Sequence, residues 1–361
     1  MSAVRIETAR PEDDPALRAL LRVPVPGRVA LGFEREPAYF AADAILGERC
    51  ETFVARDGGA VVGLVSAAIR RVHAQGDVME CGYLSQLRVA RSHEGRGLVA
   101  RGLRAVRARL SDAGVPGAYA TVSAGNRAAE QVLLRRHGRS AQGFAPVASL
   151  CTLTYAATPV RPQWRAGTLA TAIRDDLPEV ADFLTRHGPR RQLFPAIGPD
   201  GALAGRPELR AQDLILARSR GALLGVVAVW DQSALRQTVV RGYGPTLGRL
   251  KPWLDLGRRL RGGRALPAVG APLRVATASL FTVAADEPAV ASGLLAAAID
   301  AASQRGAHAL ALTLDAVDPL LAAAQRRRHV AYESRLVALP LADPGFVRRL
   351  EGTRFVDAGT L

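Results

Sequence analysis

The stretch YLSQLRVARSHEGRGLVARGLRAVRARL, residues 83–110, decides the fold. Tyr83 to Val89 alternate in polarity as a strand does, and Glu94 to Val99 form a turn built around Gly95 and Gly97. Leu98, Leu103, Val106 and Leu110 then recur at helical spacing. A strand that feeds a glycine turn and a helix presents several unpaired backbone N–H groups beside the positive end of the helix dipole. Such a junction is an anion site, suited to a pyrophosphate.

Working outward, three segments of the chain recur in order. VRIETARPEDDPALRALL (4–21) matches LATAIRDDLPEVADFL (169–184): a short β-rich run, an Arg with acids, then apolar residues at helical spacing. FVARDGGAVVGLVSAAI (53–69) lies over ILARSRGALLGVVAVWD (215–231), which sets Gly63 on Gly225 and reads as two strands joined by a tight turn. TVSAGNRAAEQVLLRRH (121–137) lies over TLDAVDPLLAAAQRRRH (313–329), a strand followed by a helix. The chain of 361 residues therefore reads as two related units, residues 1–157 and 165–345, joined by the Pro- and Arg-containing linker AATPVRPQWRAG and followed by a tail, 346–361. Each unit is expected to be α/β, a mixed sheet covered by helices.

Composition bounds the function. Apolar residues make up 48% and charged residues 22%, a globular balance. The net charge of +15 is carried almost wholly by arginine, with Lys251 the single lysine, as a GC-biased genome produces without selection for polyanion binding. The densest basic segment, about 236–274, reads as a solvated helical insertion in the second unit. With only Tyr243 and Trp253 as aromatics it offers no base-stacking platform, so nucleic acid is not the expected partner. The apolar runs near 221–230 and 294–302 are too short to span a bilayer and the N-terminus lacks a signal-peptide pattern, so the expected location is the cytoplasm, without membrane contact. Cys50, Cys81 and Cys151 are odd in number and lack metal or disulfide spacing. The six histidines, His137 among them, are scattered and predict no metal site, and neither Ser123 nor Ser140 sits in a hydrolase elbow.

The junction at 83–110 resembles the cofactor motif of the GNAT acetyltransferase superfamily, in which a strand ending in Val runs into Arg/Gln-x-x-Gly-x-Gly/Ala at a helix start. Glu94-Gly95-Arg96-Gly97-Leu98-Val99 occupies the motif here, with Gly97 matching and with Glu94 and Val99 departing from it. The resemblance covers 4–155 and includes Asn126 and Ala129 at the family's N-x-x-A spacing. It implies two tandem GNAT-like domains, the second degenerate: Val283 matches Val89, but AADEPAVASGLL (284–295) is shorter, has no glycine before Gly293, and carries Asp286 and Glu287 against a phosphate.

The resemblance further implies an N-acyltransferase that carries an acyl group from acetyl-CoA or another acyl-CoA to an amine by direct attack in a ternary complex, with no metal. It assigns the cofactor to Leu87, Arg88, Val89, Glu94, Gly95, Arg96, Gly97, Leu98, Val99, Ala100 and Asn126. The carboxylate that the superfamily often places before the strand-ending Val is replaced by Tyr83, with Ser85 and Glu80 nearby, so a direct base and a relayed water stay open. Leu133 stands where the usual acid, a tyrosine, belongs. The acceptor, a small molecule or peptide amine, is expected near the first helix pair, where GRVALGFEREPAYF (27–40) places Glu34, Arg35 and Tyr39 and where Glu34 or Glu36 could meet a cationic amine. The chain is expected to be a monomer with an internal pseudo-dimer, or a homodimer. Competing readings are a catalytically silent acyl-CoA-binding or interaction protein and an RNA-directed module.

Overall fold

Ala55 lies opposite Gly63 and Ala217 opposite Gly225, so the two hairpins paired by the internal repeat also share one register. The computed structural model describes residues 4–25, 27–134 and 143–361, which leaves His137, Ser140 and the end of the third repeated segment outside the described residues. In chain order its strands are β1 Arg5–Thr8, β2 Val29–Glu34, β3 Arg49–Asp57, β4 Ala60–Ala74, β5 Asp77–Val89, β6 Gly117–Ser123 and β7 Ala145–Ala156. They continue with β8 Thr168–Thr171, β9 Leu214–Ser219, β10 Ala222–Trp230, β11 Gln237–Tyr243, β12 Val275–Val283, β13 Ala309–Asp315 and β14 Val330–Pro340.

Among the described residues one 12-stranded mixed sheet runs β1-β3-β4-β5-β6-β14-β7-β13-β12-β10-β9-β8. The order is a palindrome under the repeat: β1, β3, β4, β5, β6 and β7 correspond to β8, β9, β10, β12, β13 and β14. The correspondence reaches single bonds. Asp13 accepts from the Arg10 backbone N–H at 2.9 Å and pairs with Arg56 at 2.9 Å; Asp176 accepts from the Ile173 N–H at 2.8 Å and pairs with Arg218 at 2.9 Å.

The halves exchange their last strands. β7 closes the first repeat in sequence, yet it pairs antiparallel with β13 of the second; β14 closes the second repeat and pairs antiparallel with β6 of the first. The two exchanged strands then pair with each other from Val330↔Thr154 to Ala338↔Ala145. Their side chains are central to the core, with Leu150, Leu153, Tyr155, Leu336 and Ala338 fully buried.

Each half buries one sheet face under a helix. The helix Leu98–Asp112 sets Leu103, Val106 and Leu110 against Val65, Leu84 and Val122, the amphipathic arrangement expected from their spacing. Its counterpart, Pro288–Gln304, is alanine-rich and buried along most of its length, packing on Ile215, Val227 and Phe281. One sequence expectation is corrected. The stretch 27–40, read as part of a helix pair, contains strand β2, because VALGFE finds a partner in β11 and the two make a separate two-stranded sheet between the halves. A strand edge needs such a partner to satisfy its backbone groups.

Because the exchanged strands belong to both cores, Leu153→Ala and Leu336→Ala should each destabilise the whole chain by about 2–5 kcal/mol. Urea unfolding followed by circular dichroism and by Trp230 fluorescence should show one shared transition. Separate transitions for the halves would contradict the exchange.

Candidate functional site

The site is built at the end of β5. Ser85 lies opposite Ser66, but Arg88 lies opposite Leu64, so β5 carries an extra residue there, with Gln86 at φ 57°. A non-glycine residue in the left-handed region costs about 1 kcal/mol, and the bulge re-aims the strand beyond it. On its other side β5 pairs with β6 only from Gly82↔Ala118 to Leu84↔Ala120. The backbone from Ser85 to Val89 therefore borders an open wedge.

The wedge leads into the glycine turn. After a short 3-10 turn at Arg91–His93, Gly95 (φ 75°) and Gly97 (φ 70°) adopt left-handed backbone, and Gly97 starts the helix Leu98–Asp112 without a side-chain cap. A Cβ at Gly95 or Gly97 would meet nothing within 4 Å, so both glycines serve the backbone conformation and leave free space in front of the first helical N–H groups. Glu94 and Arg96 are exposed beside this space; Leu87, Arg88, Val89, Val99 and Ala100 are half-buried and Leu98 is buried. Asn126 is exposed and caps the helix Arg127–Leu134 by accepting from the Ala129 N–H at 3.1 Å. Leu133 faces the core, so it brings no acid to the wedge.

The opposite face of the sheet carries the remaining expected residues. Tyr83 is buried, and the Arg70 guanidinium stacks 3.7 Å from its ring centroid. Arg70 also donates to the Tyr119 hydroxyl at 2.8 Å and to the Thr360 carbonyl at 2.6 Å. Ser85 Oγ is buried with no hydrogen-bond partner among the described residues. Glu80 lies away from this group, at the solvent, paired with Arg49 at 2.6 Å. Tyr39 is fully buried in a hydroxyl triangle, 2.9 Å from Ser66 and 3.3 Å from Thr52, which are 2.8 Å apart. Burial pushes the Tyr39 phenol up, so it stays protonated.

The acids of 27–40 are already engaged. Glu34 is buried against Arg241, and Glu36 is held by Arg18 and, at 2.6 Å, by Arg22, so neither is free for a cationic amine. Arg35 is buried, donates to Asp43 at 2.9 Å and to the Tyr39 carbonyl at 3.2 Å, and keeps Nε and Nη2 without partners among the described residues. Arg236, held by Gln232 at 2.7 Å, adds to a cationic seam between the halves. Burial, reinforced by Arg35 and Arg70, brings its guanidinium down to about 10.

Sequence reasoning missed Arg70, Ser66, Thr52, Arg236 and the tail. Ser66 alone carried a local signal, a hydroxyl inside the apolar run GLVSAAI. Thr52 joins it through the pairing of β3 with β4, and Arg70, Arg236 and the tail come together only through the seam.

The second half repeats the architecture and closes it. Leu280 (φ 53°) bulges β12 as Gln86 bulges β5, and β12 parts from β13 after Thr277↔Ala311. Here, however, Glu287 caps its own helix by accepting from the Ala289 N–H at 3.4 Å, and Asp286 is tied to Arg191 at 2.8 Å. Ser279, the counterpart of Ser85, donates to Asp357 at 2.7 Å, and the tail lies across the strand with Arg354 N–H bonded to Asp315 at 3.0 Å.

A model of the acetyltransferase (GNAT) family matches residues 16–138. No curated protein matches the chain in sequence. Among solved structures, the fold is similar to a GCN5-related N-acetyltransferase from Sphaerobacter thermophilus, 14% identical with all of both chains covered and a TM-score of 0.59. It is also similar to the Saccharomyces cerevisiae N-myristoyltransferase with bound myristoyl-CoA, 11% identical over 94% of this chain and 78% of that one, at a TM-score of 0.61. A probable N-acyltransferase from Enterococcus faecalis is 12% identical over 94% of this chain and 73% of that one, at 0.51.

The hydroxyl bonding separates two serines on one face. Ser66→Ala, which breaks the triangle with Tyr39 and Thr52, should cost about 1–3 kcal/mol in urea denaturation. Ser85→Ala should be neutral or stabilising, by up to about 1–3 kcal/mol, because no bond is lost and a buried hydroxyl without a partner is removed.

Proposed function

We propose, from the match of residues 16–138 to the acetyltransferase (GNAT) family model, that the chain transfers an acyl group from acetyl-CoA or another acyl-CoA to an amine, with the first half holding the thioester. The observation that carries this reading is that the β5–β6 wedge opens directly onto an uncapped helix N-terminus behind Gly95 and Gly97. The free N–H groups of Leu98, Val99 and Ala100 suit a pyrophosphate by position and by dipole. Leu87, Arg88 and Val89 border the wedge, where backbone N–H groups suit the pantetheine and the oxyanion that forms when an amine adds to the thioester carbonyl.

The acyl-CoA supplies the activated carbonyl and a thiolate leaving group. The chain's own residues orient the amine and lower its affinity for a proton. The seam formed by Arg35, Arg70 and Arg236 is positive, and nearby cations disfavour an ammonium, so an amine brought beside Ser85 loses its proton more readily. Ser85 Oγ, buried and unpartnered, is free to receive that proton in relay to water. In the 27–40 stretch, Arg35 keeps two buried nitrogens without partners among the described residues, whereas Glu34 is already paired with Arg241. Direct attack also agrees with the cysteines: burial pushes the Cys50 and Cys81 thiols up to about 12, which leaves neither a nucleophilic thiolate at neutral pH.

A second reading, acyl-CoA binding without transfer, is favoured by Leu133, which turns into the core and provides no acid for the departing thiolate. Calorimetric titration with acetyl-CoA and longer acyl-CoAs, beside the variant Gly97→Trp, tests the shared premise. Saturable binding that weakens about tenfold or more in the variant is expected, since an indole at Gly97 fills the space before the helix. Absence of binding at millimolar concentration sinks the reading. Binding without turnover across an amine screen selects the second.

A further inference from the structure

The helix Pro245–Leu260 in the basic insertion is turned inside out. Leu250, Trp253, Leu256 and Leu260 fall on one side at helical spacing, and they are 50%, 73%, 50% and 79% exposed. The polar side faces the protein. Asp255 bonds Lys251 at 2.6 Å and accepts from the Leu266 N–H at 2.7 Å, and Arg258 donates to the Arg264 carbonyl at 2.6 Å and to the His308 carbonyl at 2.7 Å. A helix lying on a soluble protein presents the reverse arrangement. Exposed apolar side chains gathered in one stripe mark a surface that something covers.

The charges around the stripe identify what covers it. Arg249, in line with the stripe at its N-terminal end, and Arg259 and Arg261 beside it are exposed, and Asp255, the helix's single acid, is turned inward. We propose that this helix lies in the plane of an anionic lipid bilayer, with the leucines and Trp253 at the headgroup–acyl boundary and the arginines on lipid phosphates. A helix with Trp and Leu on one face and arginines beside them is the pattern of interfacial helices. Basic residues near an anionic leaflet add attraction. A second copy of the chain is a poorer occupant, because a two-fold contact through this stripe sets arginines against arginines. The helix is presented rigidly: β11, which precedes it, is paired with β2, and Arg258 ties its last turn to the second half. No helix among the described residues is long and apolar enough to cross a membrane, and lying on one requires no such helix. The sequence expectation of no membrane contact rested on spanning length and on the lack of a signal-peptide pattern, and neither bears on a helix that lies on a surface.

Cosedimentation of the full chain with vesicles of phosphatidylcholine, or of phosphatidylcholine with about 30% phosphatidylglycerol, tests this without any substrate, so its outcome is independent of acyl transfer. The chain should partition into the anionic vesicles about tenfold more strongly, with a blue shift of Trp253 emission. Arg259→Gln and Arg261→Gln should each weaken partition about fivefold. Leu256→Glu with Leu260→Glu should abolish it while circular dichroism and thermal midpoint stay as in the parent, and Trp253→Ser provides an independent variant. The proposal is overturned by equal partition into both vesicles, by binding that survives the Leu→Glu pair, by a dimer that the pair dissolves without any lipid binding, or by RNA binding that shows the same sensitivity in place of lipid.

Discussion

The antiparallel pairing of β7 with β14 is the constraint on which the rest of the molecule depends. Without it the sheet divides into two open edges, each carrying unpaired backbone groups and the apolar faces of Leu153 and Leu336. With it, neither half owns all of its strands. The second half is thereby held in place, because it supplies the strand that flanks β6, the strand bordering the first half's wedge. It also fixes the seam: Arg70 and Tyr83 of one half meet Arg236 and the tail of the other only because the exchanged strands hold the halves in one sheet.

Two related halves under the same backbone rules reach opposite endings. Both keep a non-glycine bulge, Gln86 in one and Leu280 in the other, and both part from their parallel neighbour beyond it. The bulge is thus a property of the architecture, kept in both copies. Closure comes from side chains. Glu287 accepts from one helix N–H, that of Ala289, where Gly97 offers no side-chain cap, and Asp357 satisfies Ser279 where Ser85 goes unpartnered. A buried hydroxyl left without a bond is costly, and one copy resolves that cost through the tail while the other leaves it for a ligand or water.

Much of this was legible in the sequence. The helical spacing of Leu98, Leu103, Val106 and Leu110 gave that helix, and the repeat of Gly63 at Gly225 gave the hairpins, because periodicity and turn glycines are local signals. The exchange of β7 and β14 was not legible: an apolar strand reads the same whichever edge it joins. For the same reason β2 escaped notice, since its partner β11 lies two hundred residues away in sequence. The acids of 27–40 looked available as a string of letters, and only three dimensions show Arg241, Arg18 and Arg22 holding them. Arg35 and Tyr39 lie on the face where the acceptor was expected, but as buried framework.

The shared sheet also orders the birth of the molecule on the ribosome. When Ala156 has emerged, the sequence of the first repeat is complete, yet β6 still waits for a neighbour that is not made until residues 157–329 have followed. At about 5–20 residues per second that interval is on the order of 10 s or more. Throughout it, the nascent first half carries a bare strand edge beside its future wedge, exposed to chaperones and to neighbouring chains alike. Completion of this protein is a late event, and its final strand is the one that makes the beginning fold.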